Sequence, residues 1–320
     1  MISIAMTTYN GEKYLGEQLD SILNQTYKDL ELIICDDCSK DGTKTVLSEY
    51  QKKDSRIKLH FNEENLGFKK NFEKAISFCT GEYIAFSDQD DVWNSDKIEL
   101  CLSKIGEHDL ICTDAEVTDE KLNPLGYTMK QRLQTFVVPT DKIELLKYLV
   151  HNNFVQGATV LARSDFVKKY LPIPEECDYH DWYYAVCSAI DNGLVYLENP
   201  TMKYRQHEKN VIGGKKDSFM KLLKPVTFER DRLIKASYQP LYYINLIRSG
   251  ISDKKMGSYL DCTEKYFKLL PFKDFYTLKY IKKYYKYLYL NDSFIKKRIL
   301  LLKRFLGIIR YKLFLQGKNQ

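Results

Sequence analysis

Short apolar runs alternate with amphipathic segments through the first third of the chain. Between residues 12 and 25, Leu15, Leu19, Ile22 and Leu23 recur at the spacing of one helix face. The apolar runs are brief and bounded by polar residues, which is typical of strands. Strands are predicted at 2–6, 30–35, 57–61, 83–87 and 110–113, and helices at 12–25, 43–54, 68–78 and 96–105. This order predicts an α/β fold with a largely parallel sheet.

Polar side chains follow three of these predicted strands at the point where each strand ends. The carboxyl ends of parallel strands meet at one edge of a sheet, where open α/β sheets bind their ligands. Three carboxylates crowded after residue 87 would repel each other and favour a hard cation such as Mg²⁺ or Mn²⁺. A solvated acidic turn is the alternative. The residues are Thr8, Tyr9 and Asn10, then Asp36 and Asp37, and then Asp88, Asp90 and Asp91.

The pattern is weaker beyond residue 113. Residues 114–134 are predicted to be irregular, 155–162 to form a strand, 181–191 a helix, and 194–197 and 201–205 two strands. Asp181 falls at the start of its helix, where a carboxylate caps the helix or favours its dipole. His207 follows the last strand, either as a metal or phosphate ligand or as an ordinary surface residue.

Charge divides the chain near residue 214. Residues 1–214 carry 24 Lys and Arg against 35 Asp and Glu, a net charge of −11, and residues 215–320 carry 25 against 8, a net charge of +17. The second segment is predicted to be helical, basic and Tyr-rich, which suits an anionic membrane surface. Packing on the first segment or on a dimer partner is the open alternative, and binding to RNA is less favoured.

Localisation follows from two further features. The chain has no run of about 18 uncharged apolar residues and no secretory leader pattern. Its 8 cysteines include one CxxC, at Cys35 and Cys38, without a second pair or a matching histidine for zinc. A reducing cytoplasm is therefore expected.

Five ordered motifs carry a resemblance to a known family. The stretches TTYNGEKYLGEQLDSILNQTY, ELIICDDCSKDGT, ENLGFKKN, GEYIAFSDQDDVW and HDWYYA resemble the inverting family 2 glycosyltransferases with a GT-A fold, a Rossmann-like fold of nucleotide-diphospho-sugar transferases. The SDQDDVW and YRQHEKNVIG stretches look most like bacterial surface-polysaccharide enzymes, particularly rhamnosyltransferases. The resemblance implies a GT-A domain at 1–214, with a nucleotide-sugar-binding half at 1–100 and an acceptor-side half at 101–214. A basic helical region, 215–320, would follow.

The resemblance also implies roles for the nucleotide-binding residues. Thr8, Tyr9 and Asn10 match the loop that holds the base, and Tyr9 would stack on a pyrimidine. Asp37 would accept a hydrogen bond from the base N3–H, with Asp36 in support. Lys70 and Asn71 would approach the ribose or the diphosphate.

Four further residues match the family's metal and catalytic positions. Asp88-Gln89-Asp90 matches its DxD motif, so that Asp90 would bind Mn²⁺ or Mg²⁺ directly and Asp88 would reach the ribose or the metal through water. Asp181 matches the catalytic base. His207 is the candidate third metal ligand.

The implied activity is non-processive transfer of a sugar, because the QxxRW motif of processive members is missing from the sequence. The expected donor is dTDP-rhamnose, and UDP-glucose or UDP-galactose is the alternative. The expected acceptor is a glycan or lipid-linked saccharide at the cytoplasmic face of the membrane, with no nucleic-acid partner and a homodimer as an open question. A nucleotidyltransferase is less favoured because residues 7–13 contain a single glycine, and a non-enzymatic scaffold would leave the polar strand ends unexplained.

Overall fold

A computed structural model describes residues 1–133, 138–208 and 230–269 of the chain. The strands are β1 (Ile2–Thr8), β2 (Leu30–Asp36), β3 (Ile57–Phe61), β4 (Tyr83–Ser87), β5 (Val92–Trp93), β6 (Leu110–Thr118), β7 (Pro124–Thr128), β8 (Leu161–Arg163) and β9 (Leu194–Arg205). The helices are α1 (Glu12–Leu23), α2 (Thr43–Lys53), α3 (Phe68–Phe78), α4 (Lys97–Ile105), α5 (Met129–Leu133), α6 (Lys142–Leu149), α7 (Ser164–Lys169), α8 (His180–Ile190), α9 (Arg230–Gly250) and α10 (Lys254–Leu269).

One mixed sheet organises the α/β fold, in the order β3-β2-β1-β4-β8-β6-β9-β5, with β7 paired to β6. The first four strands in this order run parallel, and β8 pairs antiparallel with both β4 and β6. Every residue of β1 except Thr7 is buried, as expected of a central parallel strand. Thr8 of β1 pairs with Asp36 of β2, and Met6 pairs with Ser87 of β4. The register therefore brings the three polar strand ends to one edge of the sheet, as the sequence predicts.

Two segments differ from the sequence-based prediction. Most of residues 114–133 are not irregular, because β6 continues to Thr118 and β7 and α5 follow it, and residue 134 lies outside the described residues. The β6–β9 pairing has register shifts around Asp114, which break the apolar alternation that a local pattern relies on. The predicted strand at 155–162 is instead a 3-10 turn, Gly157–Thr159, followed by the short β8. The two strands predicted at 194–197 and 201–205 form one strand, β9.

The chain divides into two compact units, residues 1–133 with 154–212 and residues 134–153 with 213–320. Within the second unit, the Tyr259 hydroxyl donates to the Lys147 carbonyl at 3.1 Å and lies 2.9 Å from His151 Nε2. None of the helices in the described part of the chain combines the length and the apolar character that crossing a bilayer requires. Most of the region predicted to contact a membrane, 215–320, lies outside the described residues, which omit 215–229 and 270–320 of it.

Candidate active site

A cavity of about 840 Å³ lies at the edge of the sheet where β1, β2 and β4 end. All of its lining residues belong to the first unit. Nine of the residues selected from the sequence line it, and Lys70 and Asp36 do not: Lys70 is exposed on α3, and Asp36 is fully buried. The nine are Thr8, Tyr9, Asn10, Asp37, Asn71, Asp88, Asp90, Asp181 and His207.

The side chain of Gln89 holds the loop that follows β1. Its Oε1 accepts a hydrogen bond from the Tyr9 backbone N–H at 2.8 Å, and its Nε2 donates to the Tyr9 carbonyl at 3.0 Å. The Tyr9 ring itself remains 48% exposed at the cavity. Asn10 adopts a left-handed conformation, with φ of 49°, which Asn tolerates better than most residues. The loop therefore presents the Tyr9 ring from a backbone that is fixed on both sides.

Gly11 allows Gln89 to approach this loop closely. A Cβ atom at residue 11 would lie 2.2 Å from Gln89 Oε1, so Gly11→Ala should displace the amide and break both hydrogen bonds to Tyr9. We expect the affinity for UDP, a nucleotide expected from the resemblance, to fall about tenfold, measured by calorimetry. Gly16→Ala is the matched control, since Gly16 lies inside α1 and a Cβ atom there would lie 3.4 Å from its nearest neighbour, the Tyr50 hydroxyl oxygen. Alanine at this position should stabilise the helix by about 0.5–1 kcal/mol. Wild-type affinity in Gly11→Ala would show that the clamp is dispensable.

Asp37 is held rigidly at the floor of the cavity. Its Oδ1 accepts from Asn62 Nδ2 at 2.9 Å and from the Leu66 N–H at 2.7 Å, and its Oδ2 accepts from the Gly67 N–H at 2.9 Å. Asp36 supports the same loops from below, because its Oδ2 accepts from the Thr8 hydroxyl at 3.0 Å and from Ser39. Asp37 thus faces the cavity, whereas Asp36 connects β2 to β1 through its hydrogen bond with Thr8.

Three carboxylates crowd the end of β4. Burial raises the pKa of Asp88 to about 7, and the charges of Asp90 and Asp181 add to this rise. The pKa of Asp91 lies well above its usual range, first because the side chain is buried and then because of Asp90 and Asp88. Asp91 Oδ1 accepts from the Arg205 N–H at 3.1 Å, and Oδ2 has no hydrogen-bond partner among the described residues. A cation bound at this edge would relieve the repulsion between these groups.

His207 and Arg205 reach this acidic turn from the end of β9. His207 Nε2 lies 2.8 Å from Asp90 Oδ2. Arg205 is 2% exposed, and it donates from Nε to the Asp90 carbonyl at 2.8 Å and from one terminal nitrogen to the Glu120 carbonyl at 2.7 Å. Arg205 thereby fixes the backbone that carries Asp90.

The predicted metal ligands are brought together only in part. Asp90 and His207 are in direct contact, and Asp88 lines the same cavity, where the charge of Asp90 acts on it. Within residues 1–133, 138–208 and 230–269, no group of three His, Cys, Asp or Glu side chains is arranged to hold a metal ion. The carboxylate oxygen of Asp90 is nevertheless the ligand type that Mn²⁺ and Mg²⁺ sites prefer.

Asp181 lies in the first turn of α8, after the N-cap residue Tyr179. Its Oδ2 accepts from the Gly157 N–H at 3.0 Å and its Oδ1 from the Trp182 N–H at 2.6 Å. The side chain is 8% exposed and lines the cavity. Two backbone donors therefore hold the carboxylate in one orientation beside the space where a substrate would bind.

Sequence reasoning missed Gln89, Arg205 and Lys97 as contributors to this site. Lys97 had a detectable signal, since it shares the helix face of Ile98, Cys101 and Ile105, which are all buried. Burying the ammonium group of a lysine on the apolar face of a helix costs free energy unless another group binds it. For Gln89 and Arg205 the contacts span 80 and 115 residues of sequence, and no local pattern reports them.

The chain is similar to proteins of a known family. The sequence model of the family described as "Glycosyl transferase family 2" matches residues 3–171. The UDP-Glc:alpha-D-GlcNAc-diphosphoundecaprenol beta-1,3-glucosyltransferase WfgD of Escherichia coli is 37% identical over 219 residues, which are 67% of this chain and 81% of that protein. The dTDP-rhamnosyl transferase RfbG of Shigella flexneri is 29% identical over 221 residues, 65% of this chain and 74% of that protein.

The fold also matches a solved structure. The crystal structure of S. aureus TarS 1-349 in complex with UDP-GlcNAc superposes with a TM-score of 0.62, covering 99% of this chain and 92% of that one. The two sequences are 16% identical, so this likeness concerns the fold alone. It confirms the GT-A architecture predicted from the sequence motifs.

Proposed function

The chain belongs to glycosyl transferase family 2, and we propose that it is an inverting, metal-dependent enzyme that adds a sugar from a nucleotide-diphosphate donor to a saccharide acceptor. That it is a glycosyltransferase follows from the family, which sets aside the nucleotidyltransferase and scaffold alternatives. The observation that carries the finer proposal is the convergence in one cavity of Tyr9, Asp37, the carboxylates after β4 and Asp181. We place its reaction in the synthesis of bacterial surface polysaccharide, in keeping with the SDQDDVW and YRQHEKNVIG motifs and with bacterial relatives named as a glucosyltransferase and a rhamnosyl transferase.

The nucleotide end of the cavity is proposed at Tyr9 and Asp37. The exposed ring of Tyr9 offers a stacking face for a base. Asp37 Oδ2 accepts a hydrogen bond from Gly67 alone among the described residues, so it retains capacity for another donor. The N3–H of uracil or thymine is such a donor, whereas cytosine has no proton at N3. This supports a uridine or thymidine nucleotide.

Asp90 and His207 are the residues proposed to hold Mn²⁺ or Mg²⁺, with Asp88 nearby in sequence. A bound divalent cation would neutralise negative charge on the departing diphosphate. The crowding that raises the pKa of Asp88 to about 7, through burial and the charges of Asp90 and Asp181, is an observation that fits such a cation. Among the described residues that line the cavity, Lys13 is the one lysine or arginine, and the other charged lining residues are mostly aspartates and glutamates.

Asp181 is proposed as the general base. Its carboxylate would take the proton of an acceptor hydroxyl as that oxygen forms a bond to the anomeric carbon of the donor. The bond from this carbon to the diphosphate oxygen breaks with its electron pair on the leaving group. Attack from the face opposite the leaving group inverts the anomeric configuration. The two backbone donors that fix Asp181 would orient the carboxylate for this transfer.

We propose dTDP-rhamnose as the donor, in keeping with the SDQDDVW and YRQHEKNVIG motifs and with the relative RfbG. UDP-glucose is the second candidate, because the relative WfgD shares a higher identity of 37%. The acceptor proposed is a glycan or a lipid-linked saccharide, reached at the inner face of the cytoplasmic membrane through 215–320.

The test is calorimetric binding of UDP and dTDP with and without Mn²⁺, followed by hydrolysis of a panel of UDP- and dTDP-sugars. We expect metal to tighten nucleotide binding at least about tenfold and dTDP-rhamnose to be cleaved fastest. Preference for UDP-glucose would keep the mechanism and replace the donor. Failure to bind either nucleotide would overturn the assignment of the cavity.

A further inference from the structure

Lys97 occupies an unusual position behind the carboxylates of the cavity. It is the first residue of α4, and its side chain is fully buried, with 0% exposure. Its ammonium group donates to the Ala158 carbonyl at 2.5 Å, lies 3.8 Å from the centre of the Trp93 ring and 3.6 Å from Met202 Sδ. The described residues provide no carboxylate within ion-pair distance of it. One carbonyl oxygen and one aromatic face therefore replace its hydration.

Such a site is costly for stability. Burial lowers the pKa of Lys97 to about 7, although the negative charges of Asp91 and Asp88 act to raise it. An apolar side chain of similar length would avoid this cost, and replacing buried charges by well-packed apolar groups is often neutral or stabilising. Packing alone thus does not account for a lysine at this position.

The contact with Ala158 connects Lys97 to the base. Ala158 belongs to the 3-10 turn Gly157–Thr159, whose Gly157 N–H donates to Asp181 Oδ2. The neighbouring carbonyls of this turn are used within the backbone, since Gln156 accepts from Thr159 and Gly157 accepts from Val160. The Ala158 carbonyl instead accepts a hydrogen bond from the Lys97 ammonium group. This bond holds the 3-10 turn in place, and the Gly157 N–H of this turn holds the Asp181 carboxylate.

We infer that Lys97 is a positioning residue for catalysis, which orients Asp181 through the Gly157–Ala158 turn. This inference rests on the proposed role of Asp181 as base. The ammonium also places a positive charge behind Asp88 and Asp91, the two carboxylates whose charges act on it. Lys97 contacts neither the cavity nor the proposed substrate, because it is absent from the described lining.

The test is Lys97→Met, which keeps the length of the side chain and removes the ammonium. We expect kcat to fall about 30- to 100-fold, since small misplacement of a reacting group costs on the order of 10²-fold. The KM for donor and the melting temperature should stay near the wild-type values. Lys104→Met is the matched control, because Lys104 is exposed on the same helix, and its kcat should be unchanged.

Two further measurements separate positioning from packing. In an Asp181→Asn background, Lys97→Met should lower the residual rate no further, since residues that act through one group are not additive. Amide exchange of Gly157 and Thr159 in the free protein should accelerate at least about tenfold in Lys97→Met. Lys97→Gln should retain more activity than Lys97→Met, because the glutamine amide can still donate to the Ala158 carbonyl. If Lys97→Met does not fold, Lys97→Gln replaces it in these measurements.

An additive loss in the double variant, or unchanged exchange of the turn, would overturn the inference. Unchanged kcat in both Lys97 variants would do the same. The exchange measurement needs no substrate. It therefore tests the anchoring of the turn even if the wild-type protein binds no nucleotide, an outcome that would overturn the proposed function instead.

Discussion

Asp181→Asn is expected to lower kcat by about 10³- to 10⁴-fold, the upper range of what a general base contributes. The affinity for nucleoside diphosphate should stay within about threefold of wild type, since Asp181 acts on the acceptor hydroxyl. Asparagine retains one carbonyl oxygen for the Gly157 or Trp182 N–H, but its amide cannot take a proton at neutral pH. Steady-state kinetics with the preferred donor, together with calorimetry of the nucleotide, measures both quantities.

The control must reproduce the structural cost of the change. Asp109 is a buried aspartate outside the cavity lining, with 4% exposure, and it accepts hydrogen bonds from the backbone N–H and the side-chain amide of Asn192. Asp109→Asn should therefore lower the melting temperature by an amount similar to Asp181→Asn and leave kcat nearly unchanged. Equal losses of kcat in the two variants would attribute the effect to folding. Near-normal turnover in Asp181→Asn would remove Asp181 as the base.

Local patterns predicted the first 105 residues well because each element there is short and bounded by polar residues. The observed β3, α3 and β4 begin and end at the predicted residues, and β1 and β2 run one or two residues longer. The predicted fold class needed only this alternation of strand and helix. The strand ends of β1, β2 and β4 could likewise be placed together, because parallel register brings carboxyl ends to one edge.

Beyond residue 113 the structure depends on pairing between distant strands. Asp114, Glu116 and Thr118 are polar residues of β6, and they stay in the sheet because β9 pairs with them across register shifts. The short β5 lies earlier in the chain and was not predicted, and it too pairs with distant residues, Met202 and Lys203 of β9. A period-2 pattern cannot reveal strands whose alternation is broken by a bulge.

The site residues show the same division. Tyr9, Asp37 and Asp90, which follow strands, and Asp181, in the first turn of α8, all line the cavity, and each was selected from a motif. Asp36 is predicted to support Asp37, and its carboxylate faces inward to Thr8 and Ser39, since successive residues of a strand point to opposite faces. Lys70 is exposed on α3, next to the buried Asn71, which shows how one helical position decides whether a side chain can reach the cavity.

Asp90→Asn is the second variant with a large expected effect, and its result depends on how binding is measured. In wild type we expect Mn²⁺ to tighten nucleotide binding at least about tenfold, and in Asp90→Asn this gain should fall below about twofold. Removing one negative charge from an acidic cavity should by itself improve binding of an anionic nucleotide without metal. The ratio of the two dissociation constants, with and without Mn²⁺, therefore isolates the metal from the charge. Asp96→Asn, at an exposed residue six positions away, should keep the wild-type ratio.

His207→Gln then decides what the 2.8 Å contact between His207 and Asp90 does. If His207 only orients Asp90, the ratio should fall partway, because the supporting partner of a metal ligand is worth about 10- to 100-fold in metal affinity while the ligand itself remains. If His207 binds the metal, its loss should match that of Asp90→Asn, and the double variant should lose little more. A wild-type ratio in Asp90→Asn would mean that the end of β4 does not hold the cation. The acidic crowding there would then have to be relieved from inside the protein, where Lys97 is a buried cation on which the charges of Asp91 and Asp88 act.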